Sequence, residues 1–169
     1  MHFRFPASAS LALLALLLLA GCGHKEISSI DRKTAANQMS EAQFAVTLKD
    51  LNRAEGLGLQ ATKLCPDNAD YWFFLGTVQA RLAKKSDAKS SYESAYSTYK
   101  DAYKATPKNS QIIVQEVYVL ICLNRVDDAK SVLQKAIDDN PTDSGLKNFQ
   151  TSGMIDRMVN DPSVKAISL

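Results

Sequence analysis

The sequence predicts an all-α fold, an α-solenoid of three helix–turn–helix repeats closed by a C-terminal capping helix. Two observations predict it. The first is spacing. Ala54, Ala88 and Ala129 are separated by 34 and 41 residues, as are Ala61, Ala95 and Ala136, while Pro66, Pro107 and Pro141 are separated by 41 and 34. Every interval is 34 or 34 plus seven, and a fixed period of this size marks one supersecondary unit used repeatedly. The second is chemistry. Small Ala residues let paired helices approach closely, larger apolar residues fill the gaps, and a proline ends each second helix.

The elements follow in chain order. Residues 1–21 read as a targeting segment: Arg4 gives a short basic start, and Leu11 to Ala20 form an apolar run of signal-peptide length. It closes on Leu19-Ala20-Gly21-Cys22, which resembles the bacterial lipobox. That resemblance implies cleavage before Cys22 and acylation of its sulfur. One acyl chain holds a membrane marginally, at about 0.8 kcal/mol per buried methylene, whereas two or three hold it almost permanently. Cys22 is thus the expected lipid-attachment residue. Gly23 stands where an Asp would imply inner-membrane retention, so the resemblance implies the outer membrane, with the protein facing the periplasm. Residues 22–34 read as a tether.

Repeat one is expected over 35–68, repeat two over 69–109 and repeat three over 110–143, with residues 144–169 as cap and tail. Asn68 and Ser110 are the predicted N-caps of the first helices of repeats two and three, and Ser86 that of the second helix of repeat two. Leu146, Phe149, Met154, Ile155 and Met158 supply one or two short helices that shield the last apolar face. In repeat two, Trp72, Leu75, Gly76, Ala88, Tyr92 and Ala95 resemble the signature of the tetratricopeptide repeat. Repeat three keeps Ile113, Val117, Leu120, Ala129, Leu133, Ala136 and Pro141 but departs at Glu116, where a leucine is usual. Repeat one is the least regular, with Gln38, Glu41 and Gly58 off the pattern.

The seven extra residues fall in SYESAYSTYKDAY, where Tyr92, Ala95 and Tyr96 recur as Tyr99, Ala102 and Tyr103. Seven residues return a helix to within ~20° of its starting face, so the packing face survives the insertion and the four tyrosines share an arc of about 60°. The lengthened helix should overhang its neighbours by roughly 10 Å near Lys104 and Pro107. Packing is the expected role of the tyrosines. The alternative is that Tyr99 and Tyr103 form an exposed anchor for a partner.

No catalytic constellation is apparent. The histidines are His2 and His24, at the extreme N-terminus, and there is no GxxxxGK[ST], GxGxxG or CxxC motif. No enzyme activity, cofactor or metal site is therefore expected. A formal net charge of +2 gives no reason to expect nucleic acid. Cys65 and Cys122 are expected as unpaired, mostly buried thiols. The repeat resemblance implies a concave groove lined by Met39, Gln43, Thr47, Asp70, Phe73, Thr77, Arg81, Val114, Tyr118 and Cys122, suited to an extended peptide or an amphipathic helix. Met39 and Gln43 stand where the carboxylate-clamp form of the repeat carries Lys and Asn, so chaperone tails are not the expected ligand. The expectation is a lipid-anchored, non-catalytic scaffold that binds a protein partner in the bacterial envelope. The alternatives are a self-assembling homo-oligomer, or a carrier of an apolar small molecule or lipid.

Overall fold

A computed structural model describes residues 26–169; Cys22 and the apolar run before it lie outside the described residues. Among the described residues there are nine helices and no strand: α1 (Ser29–Thr47), α2 (Leu51–Leu64), α3 (Ala69–Arg81), α4 (Lys85–Ala105), α5 (Ser110–Cys122), α6 (Val126–Asp139), α7 (Ser144–Thr151), α8 (Met154–Asn160) and α9 (Pro162–Lys165). From α1 to α8 each helix packs against the next in sequence. No helix among them is long and apolar enough to cross a membrane.

Two kinds of turn alternate. After α1, α3 and α5 the chain reverses through one left-handed residue: Lys49, Ala83 and Asn124, with φ of 62°, 58° and 59°. The next residue's N–H (Asp50, Lys84, Arg125) donates to the carbonyl five residues back (Ala45, Gln79, Leu120) at 2.9, 2.9 and 2.8 Å. This double closure satisfies carbonyls that the helix end would otherwise orphan. After α2, α4 and α6 the chain turns through Cys65-Pro66, Thr106-Pro107 and Asn140-Pro141. The residue before each proline is barred from helical backbone, and the three adopt nearly one conformation, with φ of −130°, −135° and −132°. Asn68, Asn109 and Asp143 then cap the following helices with their side-chain oxygens.

Three boundaries differ from the expected ones. Asn109, not Ser110, caps α5, because the cap closes the proline turn as Asn68 does. α4 starts at Lys85 after Lys84 with no side-chain cap, since the left-handed turn at Ala83 already fixes its entry, and Ser86 lies inside the helix. α1 starts at Ser29, within the expected tether, because Ser28 accepts from the Asp31 N–H and Asp31 adds a carboxylate at the positive helix end.

The recurrent alanines are the points of closest approach: Ala54, Ala61, Ala88, Ala95, Ala129 and Ala136 are all buried. Gly76 goes further, since a Cβ there would lie 2.6 Å from the ring of buried Tyr92.

Helix α4 has 21 residues where α2 and α6 have 14 each, a difference equal to the insertion. The two tyrosine pairs divide the work. Tyr92 and Tyr99 pack with Ala69 and Phe73 of α3, while Tyr96 and Tyr103 reach the cluster of Ile113, Leu133 and Ala136 on α5 and α6. Tyr99 is therefore not an exposed anchor. It is 6% exposed, and its Oη donates to the Asp70 carboxylate. Burial first, and then that bond, push its pKa upward. Tyr103 is half-buried and accepts from Asn140 Nδ2 at 3.1 Å, while the same amide donates to the Pro107 carbonyl at 3.2 Å. The end of α6 thus sits level with the end of the long helix, so α6 follows the insertion along.

The C-terminal cap comprises three short helices rather than one or two. Gly153, with φ 66°, turns the chain between α7 and α8, and Asp161 caps α9 with Pro162 at its first position. Leu146, Ile155 and Val164 are buried against α5 and α6, with Phe149 and Met158 partly so.

Candidate functional site

The region with the clearest capacity to hold another chain segment lies where α3 and α5 meet. Phe73 of α3 stands edge-on to Tyr118 of α5, ring centroids 5.3 Å apart, and 5.8 Å from Tyr92 of α4. These three rings, Cys122 and Leu123 form one apolar cluster into which the end of the described chain folds.

That segment is held by its backbone as well as its side chains. Ile167 is 5% exposed within the cluster, and Leu169 packs at its edge. The Tyr92 Oη donates to the Ile167 carbonyl at 3.0 Å. The Leu169 N–H donates to the Cys122 carbonyl at 2.9 Å, an acceptor that helix α5 leaves open at its C-terminal end. Residues 167–169 leave the turn that closes α9, where the Ile167 and Ser168 N–H groups donate to the Val164 carbonyl, and bring two apolar side chains and two further main-chain groups to this face.

The expected groove residues divide. Phe73 and Tyr118 are brought together in this cluster. Thr77 and Arg81 continue along α3: Arg81 is exposed, and Thr77 Oγ1 is a buried oxygen without a hydrogen-bond partner. Asp70 is exposed but already accepts from Tyr99. Cys122 lines no open groove, being fully buried, and burial pushes its thiol up to about 12. Val114 is half-buried against the α5–α6 core. Met39 is also no lining residue: it is 6% exposed, packed with Ala35, Ala42 and Ala61 in the α1–α2 core, because a long unbranched side chain fills the gap that small neighbours leave. Gln43 and Thr47 are exposed on α1 and join no cluster with Phe73 and Tyr118.

Cys65 and Cys122 are both buried free thiols, as expected. Thiolate is the reactive form, and burial raises both pKa values, so neither is poised for nucleophilic chemistry. Among the described residues no group of three or more His, Cys, Asp or Glu could hold a metal ion. Sequence reasoning missed Ile167 and Leu169. Their only signal is the alternation of two apolar residues about Ser168, too short to distinguish from a loose end.

Compared with known proteins, the chain matches no family model and no curated protein.

Proposed function

We propose that the chain is a non-catalytic scaffold that binds another protein, through a short segment laid on the α3–α5 face of a short tetratricopeptide-like stack. One observation carries this reading: that face already holds a short segment, residues 167–169, by two hydrogen bonds to its main chain and by two apolar side chains. The recurrence of two turn types supports the stacked-repeat part, since both kinds return at the alanine intervals, 34 and 41. The resemblance of Leu19 to Cys22 to a lipobox supports a lipid anchor at Cys22 and a place in the bacterial envelope, on the outer membrane facing the periplasm. A partner segment would either displace residues 167–169 or add beside them, along Thr77 and Arg81.

The test places a photocross-linking residue at Arg81, on the face, or at Lys89, exposed on α4, and illuminates intact cells. A discrete adduct from position 81, absent from position 89 and strengthened when residues 167–169 are removed, is the expected result. Identical adducts from both positions, or none from position 81, would overturn the reading.

A second reading, self-association, draws support from α1. Phe44 and Leu48, one helical turn apart, are 61% and 59% exposed. Sedimentation of the native chain and of Phe44→Ser separates the two: a dimer lost in the variant favours self-association.

A further inference from the structure

A second cavity, apart from the α3–α5 face, opens on the other side of the long helix. It has a volume of about 310 Å³. Tyr96 and Tyr103 of α4, Ile113 and Glu116 of α5, and Val132 and Ala136 of α6 line it. Two sequence oddities meet here. Tyr103 belongs to the inserted heptad, and Glu116 is the carboxylate standing where the repeat resemblance implies leucine.

Glu116 is 3% exposed, and its Oε1 is buried with no hydrogen-bond partner. An ionised carboxylate so placed is costly unless a donor or a cation reaches it. Two of the three lysines at the mouth are engaged with other acids, and the third acts on Glu116 without bonding to it. Lys104 pairs with Asp101 at 2.7 Å, and Lys135 with Asp139 at 2.9 Å. Lys100 lies 5.9 Å over the Tyr96 ring and does not reach Glu116 Oε1, which has no hydrogen-bond partner. The aromatic wall already attracts cations, since the Arg125 guanidinium also lies 5.3 Å from the Tyr96 ring. Glu116 therefore offers an open acceptor beside the Tyr96 and Tyr103 rings, while Ile113, Val132 and Ala136 offer only hydrocarbon. Three lysines and two acids line the cavity, and Asp101, paired with Lys104 outside it, offsets the third lysine.

We propose that this cavity binds a primary ammonium group carried on an apolar stem, with Glu116 as its counter-ion and Tyr96 and Tyr103 as its walls. The ammonium donates to Glu116 Oε1, and the stem displaces water from the hydrocarbon lining. Such a group has two sources, a lysine side chain presented by a protein and a free organic amine. A volume near the lower end for small-molecule sites admits either.

Amide NMR titration of the full chain tests this, with N-acetyl-lysine methylamide as the peptidyl probe, phenethylamine as the free amine and phenethyl alcohol as the uncharged control. Shifts confined to residues around Ile113–Val117 and Val132–Ala136, from one amine and not from the alcohol, are expected, and the amine that binds identifies the source. Glu116→Gln keeps the shape and removes the charge, and should weaken binding about tenfold or more. Lys100→Met removes the nearest competing cation and should tighten it. Equal shifts from the alcohol, an undiminished affinity in Glu116→Gln, or no shift from either amine in the native chain would overturn the proposal. Binding gained only in Lys100→Met would do so too, naming Lys100 as the group that Glu116 takes.

Discussion

Single atoms decide the sign of several effects in this chain. Gly76 and Gly58 are both buried helical glycines. A Cβ on Gly76 would lie 2.6 and 2.7 Å from two Tyr92 ring atoms, whereas one on Gly58 would make an ordinary 3.4 Å contact with Leu75. Tyr92 cannot retreat easily, being fully buried and bonded through its hydroxyl to Ile167. Gly76→Ala should therefore destabilise by about 1–2 kcal/mol, overpacking outweighing the helix gain. Gly58→Ala should stabilise by about 0.5–1 kcal/mol; urea unfolding of the two variants checks both signs. Glu116 supplies a pH effect. Burial raises its pKa to about 7, with Lys100 opposing, and Lys104, Tyr96 and Tyr103 from α4 and Lys135 and Asp139 from α6 also face the cavity. A raised acid binds its proton more tightly folded than unfolded, so its burden is nearly absent at pH 4, grows as pH rises from the unfolded value of 4.5 to about 7, and is constant above that. Glu116→Leu should leave stability nearly unchanged near pH 4 and raise it at pH 8, by roughly 2 kcal/mol after allowing for water at the mouth. Equal gains at both pH values would show that packing, not charge, is the cause.

At the scale of elements, the turns carry the architecture, and they differ in how plainly the sequence announces them. The proline turns are legible because Pro fixes its own backbone and excludes helix at the residue before it. Asn68 could be read as a cap for the same reason. The other three turns need a left-handed residue, which Gly would have advertised, yet the chain uses Lys49, Ala83 and Asn124. Only Asn tolerates that conformation readily. Ala83→Gly and Lys49→Gly should therefore each stabilise by about 0.5–1 kcal/mol, while Asn124→Gly should change little. A calorimetric series over the three variants tests that ranking. Helix α4 is the element read most fully in advance, since a seven-residue insertion keeps the packing face, and its length exceeds that of α2 and α6 by the insertion. Which tyrosines would be covered was not legible, because Tyr99 depends on Asp70, 29 residues away, to accept its hydroxyl.

For the molecule as a whole, the end of the described chain returns to its middle. α7 to α9 cover the last apolar face, and residues 167–169 then cross to Tyr92 and Cys122, so one segment ties the cap to α4 and α5. Residue patterns could not show this, because the contact joins positions 75 residues apart and its acceptor is a backbone carbonyl, which carries no sequence signature. Removing residues 167–169 would strip a buried isoleucine side chain and leave the Tyr92 hydroxyl and the Cys122 carbonyl without these partners. The loss should be about 2–4 kcal/mol, combining roughly 2 kcal/mol of apolar burial with about 1 kcal/mol per hydrogen bond, less what water restores. The helices α1 and α2 should be indifferent, since their core of Ala35, Met39, Ala42 and Ala61 shares no residue with the affected cluster. Hydrogen exchange reads the two ends separately. Faster exchange in α3 to α5, with α1 and α2 unchanged, is expected of the truncated chain, and a peptide of residues 160–169 added in trans should restore protection there. Uniform loss along the chain would mean that the segment acts as a global staple, and failure of the peptide to restore protection would mean that the α3–α5 face does not recognise this segment as a separate chain.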